Sequence, residues 1–261
     1  MNEEAFYERV DEHRFESTVL TRGPWSLHHQ HGGPPSALLA RAVEAALDES
    51  MQVARVAVRL PRPVPVAPLE VRVGPLEGGK NVKRVEAVGM SDGKVVCTLE
   101  ALVLARAEIP MPEREPAPAS APGPLDSPES PFPFFGREPA YDKAMEVRFG
   151  RGTWGSGDVL AWMRMRVPLV RGETPSPLVR TLVAADSGSG VSQWLSTKEY
   201  SFVNPDLVLS FSRMPEGEWI GLEARTDVSA AGVGLADTRL VDGRGGFGRS
   251  TQSLLVRRVA P

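Results

Sequence analysis

One order of elements occurs twice in this chain, and it restricts the fold more than anything else in the sequence. A proline-led, mostly apolar run is followed each time by period-two segments. In the first half the run is Pro34 to Leu47, interrupted only by Arg41 and Glu44; in the second it is Pro177 to Asp186. Proline suits the first helical turn, where its missing N–H costs nothing, and apolar residues on nearly every face mark a helix that is buried. After the first run, Val56–Leu60, Leu69–Val73 and Val82–Val88 alternate or nearly so, Lys94–Ala105 reads as a longer, more apolar strand, and Asp92-Gly93 supplies a tight hairpin turn. After the second come Leu207–Phe211, Trp219–Arg225, Gly232–Val241 and Thr251–Val259, with Asp242-Gly243 where Asp92-Gly93 stands in the first half. A short basic turn recurs as well, as Arg62-Pro63 and then Arg213-Met214-Pro215. The chain therefore reads as a duplicated α+β unit of about a hundred residues, each copy a buried helix and an antiparallel meander. Strands are also expected at Phe15–Val19, Glu146–Phe149 and Ala161–Arg166.

The two copies are joined by a segment rich in Pro, Ala, Ser and Glu, which supplies few ladder donors and is expected to run as an extended connector. The expected division is 1–109, a connector 110–140, and 141–261. Net charge is −3, with no basic footprint for nucleic acid or an anionic membrane. Cys97 is the single cysteine, so an intrachain disulfide and a cysteine zinc site are both excluded, and a cytoplasmic location fits. No apolar run reaches the length of a membrane span or of a signal-peptide core.

The first helix is preceded by His31-Gly32-Gly33-Pro34-Pro35. Bare N–H groups at a helix N-terminus favour developing negative charge, which makes Gly32 and Gly33 candidate oxyanion donors; the same five residues also suit a tight turn that merely starts a core helix. The four histidines, His13, His28, His29 and His31, match no metal-ligand spacing. Gly243 to Gly248 satisfies G-x-G-x-x-G but precedes a strand pattern, so it implies no dinucleotide site. The serine-rich Ser187 to Ser192 has no histidine after it in the chain, which disfavours a serine hydrolase, and Cys97 lies in an apolar strand as a small core residue.

A helix wrapped by an antiparallel sheet, duplicated, with His31-Gly32-Gly33 at the first helix start, resembles the TesB-like acyl-CoA thioesterases of the double-hotdog type. The resemblance implies a tandem hotdog fold. It also implies hydrolysis of acyl-CoA or another acyl-thioester by an activated water, one site per chain between the halves, and no cofactor or metal. Through it Asp206, Thr226 and Gln252 become the expected water-holding group, with His31, Gly32 and Gly33 on the oxyanion and substrate side. The chemistry is consistent: a carboxylate accepts a proton, a hydroxyl and an amide orient the water, and backbone N–H groups stabilise the tetrahedral intermediate. The repeat places Arg55 where the second copy has Asp206, so only one copy would hold the acid. Asp186, near the end of the second helix, is the rival carboxylate. A hotdog-type enoyl-thioester hydratase needs an Asp/His pair and is disfavoured because no histidine follows His31. A non-catalytic acyl-CoA or acyl-carrier binding module is the alternative, and a homo-oligomer stays open.

Overall fold

In the computed structural model, which describes residues 4–112 and 119–259, the duplication is visible as symmetry of one sheet. The first copy contains β1 (Tyr7–Arg9), β2 (Arg14–Ser17), α1 (Gly33–Ala45), β3 (Met51–Arg59), β4 (Leu69–Val73), β5 (Glu77–Gly78), β6 (Val82–Ser91) and β7 (Lys94–Ala105). The second contains α2 (Tyr141–Ala144), β8 (Met145–Arg151), β9 (Asp158–Met165), α3 (Pro177–Ala185), α4 (Gly188–Val191), β10 (Tyr200–Val203), β11 (Asp206–Phe211), β12 (Ile220–Val228), β13 (Val233–Asp242) and β14 (Gly245–Arg258). Among the described residues the sheet runs β1-β2-β4-β6-β7-β3-β11-β14-β13-β12-β9-β8, the same order of copies read from either end. The halves join where β3 pairs antiparallel with β11, Asp206 opposite Arg59 and Ser210 opposite Arg55. This is the expected double hotdog.

The helices lie inside that sheet and against each other. α1 packs on β4, β6, β7 and α3, with Leu38, Leu39, Ala40 and Val43 buried. Burying each leucine contributes about 2 kcal/mol. Arg41 and Glu44 interrupt the apolar pattern because they reach the other copy: Arg41 donates to Glu173, and Glu44 accepts from the Ser176 hydroxyl, the N-cap of α3. Burial pushes the Glu44 carboxyl up, against that hydrogen bond.

The described part of the Pro-rich segment departs from a free extended connector. Its Phe132, Phe134 and Phe135 cluster with Trp154 and Tyr141, and the Trp162 indole donates to the Pro122 carbonyl. The three phenylalanine rings of this segment offer too much apolar surface to leave in water. Residues 113–118 of that segment lie outside the described residues. No helix among the described residues is long and apolar enough to cross a membrane.

Cys97 sits within β7, buried against Gly89, and burial pushes its thiol up to about 12. Native protein is therefore expected to leave Ellman's reagent unreacted over minutes and to titrate one thiol per chain in denaturant. Rapid native labelling would contradict this packing.

Candidate active site

Two helix ends from different copies create the site. The N-terminus of α1 points His31 toward Asp186, the C-cap of α3, and His31 Nδ1 lies 2.9 Å from Asp186 Oδ2. Glycines permit the approach. A Cβ on Gly32 would stand 3.0 Å from both Asp186 carboxylate oxygens, and one on Gly33 would stand 2.5 Å from the Val183 carbonyl oxygen. Neither glycine has a positive φ; space is what they provide. The His31 ring is stacked on Tyr141, 3.9 Å between centroids with planes 4° apart, and the Tyr141 hydroxyl donates to the Val183 carbonyl. Imidazole rotation is thereby blocked on a face.

Asp186 is buried and surrounded by donors. Asn204 Nδ2 donates to Oδ1 at 2.8 Å, and Gln252 Nε2 donates to the Asp186 carbonyl at 3.0 Å while also lying 3.4 Å from Oδ1. The Gly33 N–H points at both His31 Nδ1, 3.2 Å away, and the Asp186 carboxylate. One nitrogen cannot donate and accept in the same plane, so the consistent assignment has His31 Nδ1–H donating to Asp186 and the Gly33 N–H also directed to that carboxylate. Burial alone raises the Asp186 carboxyl, but the His31 charge and the hydrogen bonds from His31, Asn204 and Gly33 outweigh it and hold the group below the usual carboxylate range.

Gln252 is buried on β14 and fixes α4 as well, since its Oε1 accepts the Ser189 N–H at 2.9 Å. Gly188 is required there, because an added Cβ would lie 3.0 Å from that Oε1 and 2.9 Å from Thr238 Oγ1. Thr226 lies one step further out. Its hydroxyl is 2.7 Å from Ser192 Oγ, which in turn donates to the Gly188 carbonyl. It supports α4 and makes no hydrogen bond to Asp186.

The expected group therefore comes together in part. His31, Gly32, Gly33, Asp186 and Gln252 form one cluster, Thr226 is joined through Ser192, and Asp206 stands apart. The Asp206 carboxylate accepts the Ser253 N–H at 2.8 Å and the Ser253 hydroxyl at 3.2 Å. Neighbouring residues on a strand face opposite ways, so the Asp206 partner Ser253 is directed away from the face on which Gln252 meets Asp186. The placement corrects the grouping of Asp206 with Gln252. Asn204 and Tyr141 are members that sequence reasoning missed; Asn204 lies two residues before Asp206, but nothing in its spacing points to Asp186.

The Asp186–His31 pair faces a cavity of about 410 Å³ lined mainly by apolar residues, among them Trp25, Leu60, Phe134, Phe202 and Pro205. Gly32, Ser187, Ser189 and Asn204 contribute polar edges. The Gly32 N–H has no acceptor among the described residues, while Pro34 and Pro35 offer none and the Gly33 N–H is engaged. Among the described residues no group of three His, Cys, Asp or Glu side chains is placed to hold a metal ion. Such a floor combines an oriented imidazole, a buried carboxylate and a free backbone donor, which is sufficient for proton transfer beside a carbonyl group.

Comparison with known proteins gives two family matches, an acyl-CoA thioesterase N-terminal domain over residues 21–105 and an acyl-CoA thioesterase C-terminal domain over residues 112–256. No curated protein matches in sequence. Among solved structures, one named as a thioesterase from Novosphingobium aromaticivorans is 22% identical, covers 96% of this chain and 98% of its own, and superposes with a TM-score of 0.71. An acyl-CoA thioesterase II from Mycobacterium marinum is 14% identical, with 97% and 95% covered and a TM-score of 0.67. A dehydratase domain of the curacin polyketide synthase is 14% identical, with 88% and 83% covered and a TM-score of 0.50. At these identities the structures share the fold.

Proposed function

Because the chain belongs to the acyl-CoA thioesterase family, we propose that it hydrolyses acyl-CoA thioesters at the cavity floor, with His31 taking the proton of the attacking water. The observation that carries this reading is the 2.9 Å contact between His31 and Asp186, contributed by different halves and facing the same cavity. Asp186 is a poor base in its own right, since ionised it is held low and its lone pairs are occupied; it suits the role of fixing the imidazole with Nδ1 protonated. Nε2 is then the acceptor. Water adds to the thioester carbonyl carbon as its proton passes to Nε2, and the Gly32 N–H stabilises the oxyanion. Collapse breaks the C–S bond, and the thiolate takes the proton back from His31, leaving free acid and thiol. Gln252 and Asn204 hold Asp186, and Thr226 holds α4 through Ser192.

Thiol release from a panel of acyl-CoAs tests this directly. Wild type is expected to release thiol, and His31→Gln to lower kcat by about a hundredfold. Thermal stabilisation by acyl-CoA without any thiol release would replace the reading with a binding module. A second reading has a specific observation in its favour: the Asp/His pair that an enoyl-thioester hydratase needs is formed across the halves, by His31 and Asp186, so a second histidine is unnecessary. Loss of enoyl absorbance with no thiol released would support it over hydrolysis.

A further inference from the structure

The basic turn that recurs in the two copies has opposite fates. In the second copy Arg213 is neutralised: its guanidinium makes paired hydrogen bonds of 2.6 and 2.7 Å to Asp242, the last residue of β13. Asp242 is fully buried and also accepts the N–H groups of Glu216 and Arg244, so this arginine is a structural part of the β13–β14 hairpin. Asp242 follows Arg213 by 29 residues. The residue at the same spacing after Arg62, and likewise the last of its strand, is Ser91. A hydroxyl cannot neutralise a guanidinium, and the buried Ser91 hydroxyl has no hydrogen-bond partner among the described residues. Arg62 is accordingly left without a hydrogen bond, ion pair or ring contact to any described residue.

Its position makes that freedom consequential. Arg62 lines the same cavity as His31 and Asp186, and no other lysine or arginine among the described residues does so. It is exposed between Pro61 and Pro63, in a turn pinned by backbone hydrogen bonds from Leu60 to Pro205, from Gln30 to Val64 and from Val66 to His28. Two prolines and three flanking hydrogen bonds hold the backbone, so binding has only the Arg62 side chain left to order. An uncommitted arginine on a held backbone beside apolar walls is suited to a planar, paired contact with phosphate or carboxylate oxygens.

We propose that Arg62 recognises an anionic group on the substrate remote from the thioester. Two sources share that chemistry, a phosphate of the coenzyme arm and a carboxylate at the far end of the acyl chain. This rests on the thioesterase reading. The test compares wild type, Arg62→Gln and Arg62→Lys on three thioesters: hexanoyl-CoA, hexanoyl-N-acetylcysteamine and adipoyl-N-acetylcysteamine. Arg62→Gln is expected to raise KM about tenfold or more for an anion-bearing ester, with kcat within about twofold and the neutral ester unchanged, and Arg62→Lys to recover part of the loss. A response confined to hexanoyl-CoA assigns the phosphate; one confined to the adipoyl ester assigns the carboxylate. An equal change for all three esters, or no change for any, overturns the proposal. Should wild type release no thiol, hydrolysis fails while this idea stays testable, because calorimetric titration of the same compounds reads the same contrast in Kd, and unchanged Kd values for all three overturn it.

Discussion

Asp186→Asn is expected to lower kcat for thioester hydrolysis by about a hundredfold or more, whereas Asp206→Asn stays within about twofold of wild type. The contrast follows from the partners. Asp186 is met by donors only, from His31, Asn204, Gln252 and Gly33, so an amide there turns its own NH2 against at least one of them and removes the acceptor that fixes His31 Nδ1–H. Among the described residues the Asp206 carboxylate is bound to Ser253 alone, on the other face of the sheet; the Asp206 carbonyl, which lies 3.4 Å from Asn204 Nδ2, is kept in the amide variant. Equal loss in both variants would return the proton transfer to Asp206. A pH series adds a stability readout. Burial opposes ionisation of Asp186, yet the His31 charge and the hydrogen bonds win, so its folded value lies below the ordinary carboxylate value of about 4. A depressed carboxylate stabilises the fold in full above its unfolded value and loses that contribution as pH falls through the folded one. The melting-temperature gap between wild type and Asp186→Asn is thus expected to be steady between about pH 5 and 7 and to narrow below about pH 4. A gap that widens in acid would mean that the carboxyl is protonated in the native protein.

The fold was legible because its signals are periodic. β4 runs over Leu69–Val73, as its alternation indicates, β7 over the longer apolar stretch Lys94–Ala105, and α1 begins at Gly33, one residue before the prolines that signal it. Three features hid the site. The choice between Asp186 and Asp206 depends on which face of β14 each can reach, a matter of register that one-dimensional spacing does not carry. The short α4, with the sequence Gly-Ser-Gly-Val, has no pattern of its own and takes its place from Gln252 and Thr226, more than thirty residues away along the chain. The Asp/His pair is hidden because no histidine follows His31 along the chain, while the helix ends bring His31 across from the first copy to Asp186. Local chemistry is written in composition and period; a site made by two copies meeting is written in their contact.

That contact is most exposed to change at Gly33. Gly33→Ala is expected to destabilise the protein by about 2–4 kcal/mol, a fall of roughly 5–10 °C in Tm, and to lower turnover beyond what the lost stability explains. Gly33 opens α1 in ordinary helical conformation, where alanine by itself would gain up to about 1 kcal/mol, so the loss measured is net of that gain. The added Cβ meets backbone, 2.5 Å from the Val183 oxygen and 3.2 Å from its carbonyl carbon and Cα, and backbone inside a helix cannot rotate away as a side chain can. Relief requires α1 and α3 to separate, which draws His31 off Asp186 and opens a gap between Leu38 or Leu39 and the opposing core. Gly79→Ala is the control: nothing lies within 4 Å of its Cβ position, and its Tm should stay within about 2 °C of wild type. Were Gly33→Ala as stable and active as that control, the two helices could not approach as closely as the His31–Asp186 contact demands, and the split site would lose its physical basis.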